Sequence, residues 1–302
     1  MSPEKKAVIT ASLTAIFLII LKTFAGLITG SMAILTSAID STLDFFVSLM
    51  NLFAIRKSEQ PHDEDHNYGH GKIEGFGAIF EGLIIFISGL SVIYFSVEKI
   101  LKNEILKKTD ESIYVMVIAV VVTFFLVRYL SKIAKDTGSL VIKSDALHYK
   151  TDLYTNFGII LSLIMIKLFN LPMIDPVISI LIAFYIMYGS IGVIKEGYNM
   201  LMDKSIEKEY VDFVKKIVLD HPEIDSFHFL KTRKSGKNNF VEFHIVFKDI
   251  NISLKDAHDI SDGIETDIIC EIPNSTVTIH LDYFDDSNSK INPKNKKDVL
   301  CD

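Results

Sequence analysis

Four ionisable side chains occur in two pairs, each with a spacing of four residues, inside long apolar stretches of the sequence. Asp40 and Asp44 lie in SAIDSTLDFF, and His148 and Asp152 lie in SDALHYKTDLY. If both stretches are helices, each pair projects from one helix face, one turn apart. Two such faces that meet would offer three carboxylates and one imidazole, a ligand set suited to a tetrahedral divalent cation.

Acidic pairs at this spacing ordinarily mark the solvated face of a helix in a soluble protein. That alternative fits poorly here, because an ionisable group inside a membrane span costs at least about 2.5 kcal/mol on insertion scales. Such groups are usually paired, interior and functional. We therefore interpret the four residues as a metal site within the membrane.

The charge of this predicted site indicates a mechanism. Without a cation it would carry a formal charge of about −3 in a low-dielectric setting, which needs compensation. A divalent cation and protons both supply that compensation, so they should compete for the same ligands, as in a metal/proton exchanger. His148 is the best single candidate for the proton carrier, because an imidazole titrates nearest to physiological pH.

The ligand types also limit the metal. One imidazole with three carboxylates and no thiolate favours zinc, ferrous iron, cobalt or cadmium. Copper(I) prefers sulfur, and manganese or magnesium is better served by oxygen ligands alone. Zinc is the first choice, and the sequence does not separate it from cadmium or iron.

Two further groups of possible ligands follow. In the segment QPHDEDHNYGHGK, Asp63, His66 and His70 could close on one ion, with His62 or Asp65 as substitutes. The alternative is a solvated acidic loop with incidental histidines.

The polar C-terminal part holds the third group, which could cluster if a sheet brings its strands together; the alternative is scattered surface positions. Its members are His228, His244, His258, His280 and Asp282.

The elements that position these residues follow from hydropathy. The chain has 302 residues, 49% of them hydrophobic, with a mean hydropathy of +0.32, and long apolar runs dominate up to about residue 200. About 20 apolar residues cross the hydrocarbon core as a helix. Six stretches approach that length, at roughly 7–29, 32–55, 76–100, 112–134, 140–169 and 175–200.

Beyond the apolar part, the pattern changes to helix-strand-strand-helix-strand, typical of a small α+β module. The predicted fold class is therefore an all-α six-helix transmembrane bundle followed by an αββαβ, ferredoxin-like domain. The predicted domains are 1–205, with a His/Asp-rich loop at 57–74, then 206–285, and a polar tail at 286–302 that we expect to be disordered.

Charge distribution predicts the orientation and excludes some functions. Basic residues gather at one side of the predicted spans, which places both termini and the His-rich loop in the cytoplasm. The net charge of −7 and the lack of a basic stripe argue against nucleic-acid binding. Cys270 and Cys301 are the only cysteines, so a disulfide framework is excluded.

Two other functions could use metal ligands in such a chain. A membrane-embedded metalloenzyme would need an open coordination position and a separate acid or base, yet all four intramembrane candidates are used as ligands and no HExxH motif is present. We therefore expect that the protein is not an enzyme. A metal sensor whose helices only anchor a metal-binding tail would not require charged residues within the membrane.

The combination of DSTLD, HDEDHNYGHGK, HYKTD and the αββαβ tail resembles the cation diffusion facilitator family, and most closely its bacterial zinc/ferrous-iron efflux branch. The resemblance implies a homodimeric, proton-coupled exporter of divalent metal in the inner membrane, working by alternating access. It also implies transport at Asp40, Asp44, His148 and Asp152, and a tail site at the dimer interface. In the family, aspartate in place of His148 accompanies manganese transport, so a manganese-preferring exporter is the alternative.

Overall fold

A computed structural model describes residues 1–29, 32–102, 110–169 and 173–285. The chain forms two compact units, Met1–Leu201 and a second that begins at Met202. The predicted tail 286–302 lies outside the described residues.

The first unit consists of six long helices, as the apolar stretches predicted. Each has 27 to 30 residues, enough at 1.5 Å per residue to cross the hydrocarbon core of a bilayer. The helices are α1 (Pro3–Thr29), α2 (Met32–Ser58), α3 (Ile73–Lys102), α4 (Asp110–Thr137), α5 (Leu140–Phe169) and α6 (Ile174–Leu201).

Five of the six helices are long and apolar enough to span a membrane by composition alone. The exception is α5, which carries the charged residues Lys143, Asp145, Lys150 and Asp152 in its first half. Its apolar second half and its packing against α3, α4 and α6 place it inside the bundle. The α5 helix is therefore part of the helical bundle although hydropathy alone underestimates it, as expected for a membrane helix that carries interior ionisable groups.

Polar contacts join helix termini at one end of the bundle: the start of α1 contacts the end of α2, and the start of α3 contacts the start of α5. Glu59, just after α2, receives a hydrogen bond from Ser2 and an ion pair from Lys5. Glu74 at the start of α3 accepts from Ser139 beside α5, at 2.7 Å. We call this end of the unit, which carries the segment 59–72, the link end.

A seam of small residues joins α3 to α6. On α3, Gly75, Gly82 and Gly89 recur every seven residues, and opposite them on α6 lie Gly197, Ser190 and Ala183. A Cβ built on Gly197 would meet the carbonyl oxygen of Gly75 at 2.6 Å. Small residues at this spacing let two helix backbones approach closely, which is a main source of helix association in membranes.

The second unit has the predicted αββαβ order, which confirms the fold class. Its sheet order is β1-β2-β3, with β1 and β2 antiparallel and β2 and β3 parallel. Both helices cover one face of the sheet, where Val241, Phe243 and Ile245 of β2 pack in the core with Ile264 and Ile268. The elements are α7 (Lys208–Leu219), β1 (Ile224–Ser235), β2 (Asn238–Phe247), α8 (Leu254–Glu271) and β3 (Ser275–Asp282).

The glycine seam generates a stability prediction. Gly197→Ala should destabilise the helical unit by about 1–3 kcal/mol, because the new methyl group meets backbone that cannot rotate away. Thermal unfolding of the detergent-purified protein should show a lower midpoint. Gly192→Ala in the same helix is the matched control, since a Cβ there meets no heavy atom within 4 Å. Equal midpoints for the two variants would contradict the close approach.

Candidate metal centres

Within the part of the chain that the structure describes, three groups of side chains place their candidate ligand atoms within 4.8 Å of one another. The intramembrane group, in the first unit, contains Asp44, His148 and Asp152. The loop group and the tail group lie elsewhere in the chain. The loop group contains Asp63, His66 and His70. The tail group contains His228, His244 and Asp282.

The intramembrane group joins α2 to α5. Nε2 of His148 lies 3.0 Å from Oδ1 of Asp44, and both side chains are about seven-eighths buried. Asp152 is one turn beyond His148 on α5, and the amide of Asn156 donates to its backbone carbonyl at 2.8 Å. Tyr149, which follows His148, connects α5 to α2 through a 3.0 Å hydrogen bond between its hydroxyl and that of Ser48. Two carboxylates and one imidazole therefore face one another between α2 and α5.

Asp40, the fourth predicted ligand, is not a member of this group. It is exposed, although it interacts electrostatically with Asp44 and Asp152. The four-residue spacing correctly places Asp40 on the same face of α2 as Asp44. The spacing does not determine whether the Asp40 side chain turns toward α5. In this structure Asp40 does not join Asp44, His148 and Asp152.

Sequence reasoning missed a buried lysine beside this group. The ammonium of Lys22 on α1 donates to the hydroxyl of Ser41 at 2.7 Å and to the carbonyl of Ser37 at 3.3 Å. It also interacts electrostatically with Asp44 and Asp152. Its signal in the sequence was a single charge in the second half of the first apolar span. Lys22 therefore places a basic group beside the carboxylates.

Two more ionisable groups in the bundle, Glu81 and Asp145, were also missed. Both are fully buried, and both interact electrostatically with His148. Asp145 lies three residues before His148 and so occupies the same face of α5, which was the available signal. Glu81 had no such partner in its own helix.

The loop group forms through a tight turn. Oδ1 of Asp63 accepts the backbone N–H of His66 at 2.6 Å and lies 3.1 Å from its Nδ1. Nε2 of His70, a buried side chain, lies 3.3 Å from the other oxygen of Asp63. Gly69 has a φ of +75°, a conformation that favours glycine between the two histidines. His62 and Asp65, the predicted substitutes, are exposed and outside the group.

The hydrogen bonds of the loop group keep Asp63 ionised. Desolvation raises the pKa of Asp63, but the backbone and ring hydrogen bonds from His66 and the charges of the imidazoles together outweigh it. The pKa is therefore lowered from its ordinary value. Asp63 is accordingly a carboxylate at neutral pH, the form that binds a cation.

The tail group is built on a row of three histidines across the sheet. His244 of β2 is the register partner of His228 on β1 and of His280 on β3. Oδ2 of Asp282 lies 2.8 Å from Nδ1 of His244 and 3.2 Å from Nε2 of His228. The row lies on the sheet face opposite the core, as the alternation of His244 with Phe243 and Ile245 predicted.

A β-bulge follows the first histidine of this row. The register shifts between His228 and Lys231, and Phe229 has a φ of +53°. A non-glycine residue in this conformation is strained, and such strain is common at functional sites. The ring of Phe229 packs against His244 with centroids 5.4 Å apart. The bulge thus fixes the direction of His228 toward Asp282.

The two remaining predicted tail residues differ from the group. His280 stacks on His244 at 4.4 Å and its Nδ1 lies 2.9 Å from Oδ1 of Asp282, but its side chain is 63% exposed. His258 is on the solvent side of α8, next to Asp262. Because α8 covers the core face of the sheet, His258 is separated from the histidine row within one chain.

Comparison with known proteins covers nearly the whole chain. Residues 8–202 match the cation efflux transmembrane domain, and residues 206–284 match the cytoplasmic domain of cation efflux proteins. The chain is 33% identical over 277 residues to the cation-efflux pump FieF of Klebsiella pneumoniae, spanning 92% of each protein. It is also 33% identical over 271 residues to protein p34 of Rickettsia prowazekii, spanning 90% of this chain and 89% of that protein.

Among solved structures, the metal-bound C-terminal domain of the CzcD transporter from Thermotoga maritima is 23% identical, with a TM-score of 0.24. The match covers 26% of this chain and 93% of the chain in that structure. The two domain matches, by contrast, extend over most of the chain and include the three groups described above. The chain therefore belongs to the cation efflux family, the cation diffusion facilitators, which are multi-pass membrane transporters of divalent metal cations and not enzymes.

Proposed function

We propose that this protein is a proton-coupled antiporter that exports divalent metal from the cytoplasm, with the intramembrane group as its transport site. The observation that carries the proposal is the convergence of Asp44, His148 and Asp152 inside a membrane unit. Asp40, one turn from Asp44, is proposed to complete the four-ligand set by a change of side-chain rotamer when metal binds. Alternating access of this site to the two sides of the membrane would complete the cycle.

Charge balance supports the coupling to protons. The three carboxylates and the imidazole need compensation in a low-dielectric setting, and Lys22 supplies only part of it. A divalent cation supplies the rest in one state, and protons supply it in the other. Metal release would therefore be accompanied by proton uptake, as linkage between metal and proton binding requires.

The ligands support zinc as the first substrate. An imidazole together with carboxylates suits zinc, cadmium, ferrous iron and cobalt. Zinc or another of these cations would also occupy the loop and tail groups as a structural or regulatory ion.

The proposed orientation places both termini and the loop group at the cytoplasmic side of the inner membrane. The support is the accumulation of basic residues at the link end, as the positive-inside rule requires. These residues are Lys5, Lys6, Arg56, Lys57, Lys72, Arg128, Lys132, Lys135 and Lys143. The loop group would then meet metal on the side from which it is exported.

We also propose that the chain works as a homodimer through its cytoplasmic domain. The match of the tail to the cytoplasmic domain of cation efflux proteins supports this assembly. The position of His258 on the solvent side of α8 supports it as well. This histidine could approach the row of His228, His244 and His280 only from a second copy.

Transport by the purified protein in liposomes tests the function. Zinc uptake should be accompanied by opposite proton movement, recorded with an internal pH dye, and should accelerate under an imposed proton gradient. Asp44→Asn should abolish both fluxes, because it removes a ligand shared by metal and protons. Zinc binding by the tail group should persist, which shows that the cytoplasmic domain of the variant is folded. Zinc flux that is indifferent to the pH gradient would refute the exchange mechanism.

The imidazole generates a prediction on selectivity. His148→Asp replaces the only nitrogen ligand of the intramembrane group with oxygen, which manganese accepts more readily than zinc does. The ratio of zinc to manganese transport should therefore fall in the variant. The ratio is measured in the same liposomes with each ion in turn. An unchanged ratio would count against His148 as a ligand.

Lys22 should weaken metal binding at the transport site, because it is a cation beside the same carboxylates. Lys22→Met should tighten zinc binding on the order of tenfold, because the repulsion of one like charge across a partly screened site is worth on the order of 1 kcal/mol. Competition with a zinc dye measures it, in a background where Asp63→Asn and Asp282→Asn weaken the other groups. Lys150→Met is the control, since the Lys150 ammonium contacts Tyr185 at 3.3 Å. Unchanged or weaker binding in Lys22→Met would contradict this role.

A further inference from the structure

Two carboxylates lie fully buried in the helical unit and belong to none of the three metal groups. Glu81 of α3 is 1% exposed and Asp145 of α5 is 0% exposed. Glu81 is the charged group that interacts most strongly with Asp145. Two carboxylates held next to each other in a low-dielectric interior must be compensated by protons or by a bound cation.

The hydrogen bonds around this pair are incomplete. One oxygen of Glu81 accepts from the amide of Asn51 at 3.2 Å and from the hydroxyl of Ser144. Within the described residues, the other oxygen of Glu81 and both oxygens of Asp145 are buried without a hydrogen-bond donor in normal geometry, although the amide of Asn51 also interacts with Asp145. Native proteins rarely leave buried polar atoms in this state, and a bound cation would satisfy all three oxygens at once.

The pair lies between the intramembrane group and the link end. Asp145 precedes His148 by three residues and Asn51 follows Asp44 by seven, which corresponds to about 5–10 Å along the helices. Buried polar residues continue in the same direction along the facing helices as far as the link end. They are Ser48 and Asn51 on α2, Glu74 on α3, Ser139 just before α5 and Ser144 on α5.

We propose that Glu81 and Asp145 form a second cation site within the membrane, occupied by a divalent metal on its way between the link end and the transport site. The inference rests on the proposed transport function, because it assigns a step of that transport to these residues. The two residues that contact Glu81, Ser144 and Asn51, also carry side-chain oxygen atoms. An all-oxygen site suits hard cations such as Mn²⁺, so this position selects less sharply than the group containing His148.

Electron paramagnetic resonance of Mn²⁺ bound to the full chain in lipid nanodiscs tests the proposal. In a background with Asp44→Asn, Asp152→Asn, Asp63→Asn and Asp282→Asn, about one Mn²⁺ should remain per chain, as expected for one oxygen site. Glu81→Gln or Asp145→Asn should remove it. Glu196→Gln is the control, because this exposed carboxylate of α6 pairs with Lys143. Retention of the ion after both test substitutions, or its absence from the background protein, would overturn the proposal.

A second measurement needs no substitution and so does not depend on how the variants fold. Pulsed resonance of Mn²⁺ in the unsubstituted protein should show a population without ¹⁴N coupling that survives saturation of the histidine-containing groups with zinc. If every bound Mn²⁺ couples to nitrogen, the second site is refuted. If the liposomes still exchange zinc for protons in that case, the proposed function stands; if they do not, that function fails separately.

Discussion

Compensation of charge inside a low-dielectric helical bundle is the constraint on which this structure depends. The α2 and α5 helices carry carboxylates at the depth where an unpaired charge is most costly. The fold answers with an imidazole from His148, an ammonium from Lys22 and the hydroxyl of Ser144, which donates to Glu81. The charge that remains uncompensated is negative, and it would attract a cation into the bundle. Under the proposed function, metal transport and helix packing share one electrostatic origin.

Much of this organisation could be predicted from sequence because it depends on local period. Spacings of four placed His148 and Asp152 on one helix face, and strand alternation placed His244 on the sheet face away from the core. The αββαβ order followed from changes of period that need no knowledge of distant contacts. The fifth membrane helix, α5, was likewise predicted from length despite its charges.

Other features depend on packing between distant segments and left no local pattern. Lys22 and Glu81 are single charges in apolar helices, and their partners are supplied by α2 and α5. The spacing of His66 and His70 matches one helical turn, yet these residues lie in a loop where Asp63 joins them through hydrogen bonds. Asp40 has the helical spacing but turns outward, because period fixes a direction around the axis and not a side-chain rotamer.

The backbone contact between Gly75 and Gly197 has a mechanical consequence. Helices that touch without an intervening layer of side chains have little room to shear, so α3 and α6 should move as one body. Any rearrangement that opens the bundle to opposite sides would then occur where this rigid pair meets α2 and α5. Glu81 of α3 crosses that boundary through its hydrogen bonds with Asn51 of α2 and Ser144 of α5. A displacement of the α3–α6 pair relative to α2 and α5 would therefore change these hydrogen bonds directly.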